Sequence, residues 1–149
     1  MPQLSMHTPI GDIAISEDGG AIVAVDWGWG RDQDMTPLLI EARRQLDAYF
    51  DGHQKTFRLP LRAAGTPFQR SVWRAMSGIA YGRTMTYGEL AAKVGSAPRA
   101  VGGACGANPI PIIVPCHRVL GAGGQLHGYS GDGGLDTKLA LLKLEGARL

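Results

Sequence analysis

The chain is short of cysteine, short of aromatic residues and lacks any long apolar run. Its only cysteines, Cys105 and Cys116, could close at most one disulfide in 149 residues, which excludes a disulfide-stapled secreted scaffold. Neither CxxC nor HxxxH spacing occurs, so the two cysteines and four histidines do not form a zinc pattern, and no metal is expected. No stretch reads as a membrane span, and 44% apolar with 19% charged residues is the balance of a globular chain rather than a disordered one. Met1-Pro2-Gln3-Leu4-Ser5-Met6-His7 has no cationic segment leading into an apolar one, so the cytoplasm is the expected location, with no membrane partner.

Negative charge is scarce in one region. Residues 1–61 carry five Lys/Arg against nine Asp/Glu, residues 62–118 seven against one, and residues 119–149 three against three. The cationic middle third suits a polyanionic partner, although a modest positive surface has blander explanations.

Two β-branched runs, Ile10–Ile15 and Ile22–Trp27, flank Glu17-Asp18-Gly19-Gly20 and predict a hairpin. The spacing of Leu38, Leu39, Ala42, Leu46, Tyr49 and Phe50 predicts a helix over 37–50, stopped by Gly52, and Phe57–Leu61 reads as a further strand. Composition shifts near Ala63-Ala64-Gly65. The chain is therefore divided into a small α/β scaffold, 1–63, and a mostly helical domain, 64–149.

In the second domain Thr66-Pro67-Phe68-Gln69 and Thr86-Tyr87-Gly88-Glu89 are capping boxes, opening helices to about Ser77 and Val94. Gly95 closes the second, and Pro98 starts another that runs to about Ala107. Two short helices joined by a tight turn fit either a helix-turn-helix or a plain helical hairpin. Gly102, Gly103 and Gly106 each cost about 1 kcal/mol in a helix interior, so either a partner approaches closely or the helix packs tightly on its neighbour. Arg99 opposes the macrodipole in the first turn unless an anion lies opposite. Residues 121–134 are half glycine and lack the Lys-Ser/Thr ending of a phosphate loop, which argues against a nucleoside triphosphate. A last helix, 135–145, has Asp136 as its expected N-cap and Gly146 as its stop. Glu145 opposes the dipole at its end, and is either solvated or held by a buried partner.

Between these helices lies Ile110-Pro111-Ile112-Ile113-Val114-Pro115-Cys116-His117-Arg118-Val119, an apolar run ending in a thiol, an imidazole and a guanidinium. Pro115 biases the approach to an extended path. A thiol in such a place is either an inert core residue or a nucleophile, and the nucleophile needs a base or cation beside it. His117 and Arg118 offer both.

The string Pro115-Cys116-His117-Arg118-Val119, with Asn108-Pro109-Ile110 before it, resembles the active-site signature of the O6-alkylguanine-DNA alkyltransferases, also called methylated-DNA–protein-cysteine methyltransferases. The likeness runs from Gly65 to Gly146 and takes in Thr86-Tyr87, Arg99-Ala100-Val101-Gly102, Gly128-Tyr129-Ser130-Gly131 and Leu144-Glu145-Gly146. It implies a ribonuclease H-like N-terminal domain, with a small antiparallel sheet plus a helix, and a C-terminal domain with a winged-helix-like helix-turn-helix. It implies DNA repair without a cofactor, by a monomer, on double-stranded DNA holding O6-alkylguanine, with O4-alkylthymine left open.

By the same resemblance Cys116 is the acceptor, His117 its base through a water, Glu145 the carboxylate orienting His117, and Asn108 the brace of the segment. Tyr87 donates a hydrogen bond to the guanine. Tyr129, Ser130 and Val119 line the base pocket. Arg99 fills the stack left by a rotated base, and Ala100, Gly102, Gly103 and Arg118 face DNA, with Ala104 also on the groove side. Cys105 is a packing residue. Three rivals remain: a non-transferring relative that recruits other repair proteins, which Cys116 speaks against; a cysteine hydrolase, which leaves Arg99 and the glycine-rich helix unexplained; and a DNA-binding regulator in which Cys116 is incidental.

Overall fold

A computed structural model describes residues 1–125 and 134–147. It forms two compact units, Met1–Ala64 and Gly65–Leu149.

In the first unit, strands β1 (Gln3–Met6), β2 (Ile13–Asp18) and β3 (Ala21–Trp27) form an antiparallel sheet in that order. The predicted hairpin is there, and Gly19 and Gly20 close it with φ of +57° and +82°, as a two-residue turn with both residues at positive φ requires. β2 starts three residues later than the run Ile10–Ile15 suggests, because Gly11 (φ +110°) and Thr8 pair their backbones in a turn. β1 has no counterpart in the sequence reading. Helix α1 (Pro37–Phe50) has Thr36 as its N-cap, accepting from Leu39 N–H at 3.1 Å. It buries Leu39, Ala42, Leu46, Tyr49 and Phe50 among Leu4, Ile13, Ile15, Ile22 and Val25 of the sheet unit's core. The expected strand Phe57–Leu61 shrinks to one parallel bridge, Leu61 to Ile22. Pro60 has no N–H to give a ladder, though its carbonyl takes the Ile22 N–H at 2.8 Å.

In the second unit, α2 (Pro67–Ser77) and α3 (Tyr87–Val94) carry the two capping boxes complete, and Gly95 (φ +69°) ends α3. Helix α4 (Pro98–Gly106) is joined to α2 by the Trp73 indole N–H, which donates to the Ala104 carbonyl at 2.8 Å. Gly65 lies against that indole: a Cβ there would sit 2.5 Å from the ring edge. Two-residue strands β4 (Met85–Thr86) and β5 (Val119–Leu120) pair in parallel, bringing the start of α3 next to the end of the Cys116 segment. Helix α5 (Leu135–Leu144) is capped by Gly134, not Asp136; with no residue-136 cap bond, the carboxylate lies inside the first turn, where the dipole still favours it. Gly146 (φ +69°) follows the helix as expected. Among the described residues no helix is long and apolar enough to cross a membrane.

Candidate active site

The segment leading to the thiol is wound, not straight. Val114 N–H donates to the Ile110 carbonyl and Ile113 N–H to the Pro111 carbonyl, each at 2.9 Å. Ile112, at the centre of the tighter turn, has φ of +72°, the one non-glycine residue at positive φ among those described. A β-branched residue there is strained, and it is held because the surroundings leave it no alternative. Ile112 is fully buried, and Asn108 clamps the turn from both sides. Its Oδ1 accepts from Ile110 N–H at 3.0 Å, and its Nδ2 donates to the Val114 carbonyl at 2.8 Å. That carbonyl also takes the Cys116 N–H at 2.8 Å, around Pro115.

Cys116–Arg118 then form a single 3-10 turn, where an extended path was expected. Side chains one residue apart in such a turn point roughly 120° apart, so Cys116 and His117 still diverge. His117 is fully buried, and its Nε2 lies 2.7 Å from Glu145 Oε2. Since a carboxylate only accepts, Nε2 carries the proton and Nδ1 presents a lone pair. Nδ1 is buried without a hydrogen-bond partner among the described residues. Burial pushes the imidazole below the ordinary histidine value, with the Glu145 hydrogen bond and charge opposing. The ring is therefore neutral near pH 7 and can accept a proton.

Arg118 corrects the sequence reading. It is 6% exposed and does not face solvent where DNA could reach it. Its Nε and Nη2 donate to Glu145 Oε1 and Oε2 at 2.8 and 2.9 Å, and its Nη1 donates to the Ile79 carbonyl at 2.7 Å. The guanidinium is thus consumed in holding the carboxylate that orients His117. A carboxylate with no such cation would be costly to bury.

Cys116 is 8% exposed, and burial raises its pKa. The Asn108 hydrogen bond and the Lys138 charge pull the other way. Lys138, on α5, is 1% exposed; its Nζ is 5.6 Å from the centre of the Tyr87 ring, and it interacts electrostatically with both Cys116 and Cys105. Burial favours its neutral form, and the two thiols oppose that. Cys105 packs with its Sγ 3.4 Å from Met76 Sδ, and burial drives its thiol up to about 12. Tyr87, the first residue of α3, is likewise pushed up to about 12, chiefly by burial, so its phenol stays a hydrogen-bond donor.

Outside this core a cleft of about 550 Å3 has Tyr87, Pro98, Arg99, Gly102, Gly121 and Ala122 on its walls. Arg99 and Ala100 are exposed on the first turn of α4. A Cβ built on Gly102, Gly103 or Gly106 meets nothing within 4 Å, so tight packing within the chain does not explain these glycines. Ala104 is instead buried, its carbonyl bound to Trp73. Val119 is fully buried in β5 and is not on the cleft wall. Tyr129 and Ser130 fall outside the described residues.

Residues 67–147 match the family model for the 6-O-methylguanine DNA methyltransferase DNA-binding domain, and residues 4–63 match its ribonuclease-like domain. The chain belongs to the 6-O-methylguanine DNA methyltransferase family. It is 47% identical to the methylated-DNA–protein-cysteine methyltransferase of Methanosarcina acetivorans, over 95% of this chain and 96% of that one. With the constitutive enzyme of that name from Bacillus subtilis it shares 44% identity, over 93% and 92%. The solved structure of Mycobacterium tuberculosis OGT in complex with DNA is similar at a TM-score of 0.87 and 41% identity, covering 97% of this chain and 92% of that one.

For a chain of this methyltransferase family, the structure brings Cys116, His117, Glu145 and Asn108 together, with Tyr87 linked to them through Lys138. The sequence reading missed Lys138 altogether. Lys138 stands seven residues before Glu145, two helical turns earlier on the same face, but Lys143 lies in the same stretch and nothing in the sequence sets Lys138 apart from it. It also missed Arg118 as the partner that lets Glu145 be buried.

Proposed function

We propose that this chain repairs DNA by moving the alkyl group of O6-alkylguanine onto Cys116, once per molecule and with the damaged base rotated out of the duplex. The observation that carries this reading is the neutral, buried His117, its Nδ1 lone pair unused and its Nε2–H held by Glu145, directly after a buried thiol. A resting thiol raised by burial needs such a base. The proton leaves Sγ through a water to His117 Nδ1, and Sγ attacks the alkyl carbon. The carbon–O6 bond breaks as the carbon–sulfur bond of a thioether forms, and the electron pair of the broken bond goes to the guanine. The guanine ring nitrogen takes a proton from solvent while His117 releases the thiol's proton to solvent; the Tyr87 phenol donates a hydrogen bond to the guanine meanwhile. Lys138 stabilises the thiolate, and the thioether has no route back, which suits a single turnover.

A base in a stacked duplex cannot present its O6 to a buried sulfur, and rotating it out costs a few kcal/mol. Arg99, exposed beside the cleft, suits the vacated stack, and the open face of Gly102 and Gly103 suits close approach of the minor groove. Tyr129 and Ser130 complete the base pocket in this reading. We assign residues 1–63 as a ribonuclease H-like scaffold and 64–149 as a winged-helix-like module in which β4 and β5 flank α3 and α4. The protein acts as a monomer in the cytoplasm.

The test is intact-protein and peptide mass after incubation with a duplex holding O6-methylguanine. One methyl on Cys116 with guanine restored is the expected result, and Cys116→Ser should show none. Tight binding without any mass gain would overturn the transfer reading.

A further inference from the structure

A second recess, of about 460 Å3, lies in the first unit, between α1 and the segment 53–58. Its walls carry Arg44, His53, Lys55 and Arg58, with Glu41 as the single carboxylate. Three of the five Lys/Arg of residues 1–61 line it, while eight of the nine Asp/Glu lie elsewhere. An acidic unit thus gathers its cations at one concave place.

The recess is also built. Gln45, on α1, is 3% exposed, and its Nε2 donates to Glu41 Oε2 at 2.7 Å and to the Arg58 carbonyl at 3.1 Å. Its Oε1 accepts the Arg58 N–H at 2.8 Å and Gln54 Nε2 at 2.9 Å. Gln54 Nε2 also donates to the Thr56 carbonyl at 2.8 Å. A leucine would fill the same space with no polar group to satisfy, whereas the buried amide fixes the path of residues 54–58 and so the origins of Lys55 and Arg58. Arg44 is aimed separately, by two hydrogen bonds to Glu41 at 2.8 and 2.7 Å. Those bonds hold the Glu41 carboxyl down at about 2, so the clamp stays ionised at any physiological pH.

We propose that this recess binds a phosphate-bearing ligand. Guanidinium and ammonium groups lining one recess, from α1 and from a loop whose path is fixed, match the charge and donor chemistry of a phosphate, and the volume suits a phosphate together with the sugar that carries it. The phosphate belongs either to a free nucleoside monophosphate or to a nucleic-acid strand, and the chemistry on the protein is the same.

The experiment is a heteronuclear NMR titration of the full chain with inorganic phosphate at constant ionic strength. Saturable shifts in residues 53–58 and in the Arg44 side chain are expected, weakened by about tenfold in Lys55→Gln/Arg58→Gln. Gln45→Leu, which keeps every cation, should weaken binding by a similar factor, and Gln54→Leu, altered from the more exposed side, repeats that test if Gln45→Leu folds poorly. Undiminished binding in both loop variants would mean diffuse charge and overturn the proposal, as would the lack of any saturable shift in the parent chain. Two further measurements assign the source. If it is nucleic acid, the double variant lowers the slope of log K against log salt for an undamaged duplex by about 2. If it is a free nucleotide, that slope is unchanged and a nucleoside 5′-monophosphate binds more tightly than inorganic phosphate. Alkyl transfer from a short duplex should be unaffected in every variant.

Discussion

Glu41 and Glu145 hold their arginines in nearly the same way, each carboxylate accepting from Nε and Nη2 at 2.7–2.9 Å. The Glu41–Arg44 pair stands in water, three residues apart on one helix, with side chains 42% and 62% exposed. The Glu145–Arg118 pair is buried, at 0% and 8%, and joins residues 27 apart. Identical geometry therefore does two jobs. In water the attraction is screened and the pair serves mainly to aim a guanidinium. In the core the same bonds cannot be exchanged for water, so either partner left alone is an uncompensated buried charge.

The comparison breaks most visibly at Arg118. Arg118→Met should destabilise the protein by about 3–5 kcal/mol, read from urea denaturation, because Glu145 then keeps its charge with no cation beside it. Arg44→Met should leave the denaturation midpoint unmoved; a large shift there would mean that the two pairs are not different in kind. Next in size is the chemistry the buried pair supports. His117→Ala should slow transfer by about 10²–10⁴-fold with duplex affinity nearly unchanged, and equal loss of binding would refute the role assigned to the ring.

The pH dependence sharpens the same contrast. His117 titrates below the ordinary 6.5 because burial disfavours its charged form. The unfolded chain therefore binds the proton first as pH falls, so the stability associated with this group is complete above about 6.5 and is lost on the way down to the lower folded value. Transfer should fall over that lower range too, since a protonated ring is no base. A single-turnover rate profile that bends above 6.5 instead would contradict the buried, neutral imidazole. Smallest is the open face of α4: Gly103→Ala should raise stability by up to about 1 kcal/mol while weakening duplex binding, whereas packing glycines would lose stability.

How much of this was legible depended on whether the determining interaction was local. Thr66 with Gln69 and Thr86 with Glu89 announce helix starts three residues apart, and Gly19-Gly20 announces its turn, because each device is closed within four residues. Cys116, His117 and Glu145 were reached by resemblance, and the structure brings all three into one cluster. Arg118 was placed on DNA by the same resemblance; its partners in the structure, at Glu145 and Ile79, are 27 and 39 residues away. Lys138 was hidden for the same reason, since only the fold makes a helical lysine a neighbour of a thiol. β1 escaped notice because four residues, Gln3–Met6, are too few to show a period, and its pairing with β2 fixes it. The positive φ at Ile112 has no sequence signal at all, isoleucine being among the least suited residues for it.

Gly65 and Trp73 together constrain the order in which substitutions can accumulate. With the indole in place, a first methyl at position 65 would have to displace a ring that anchors α4 through Ala104. A lineage could therefore acquire a side chain at 65 only after losing ring bulk at 73, and that first step already loosens the helix carrying Arg99. Both intermediates are impaired, so the two positions should persist or change as one unit of inheritance.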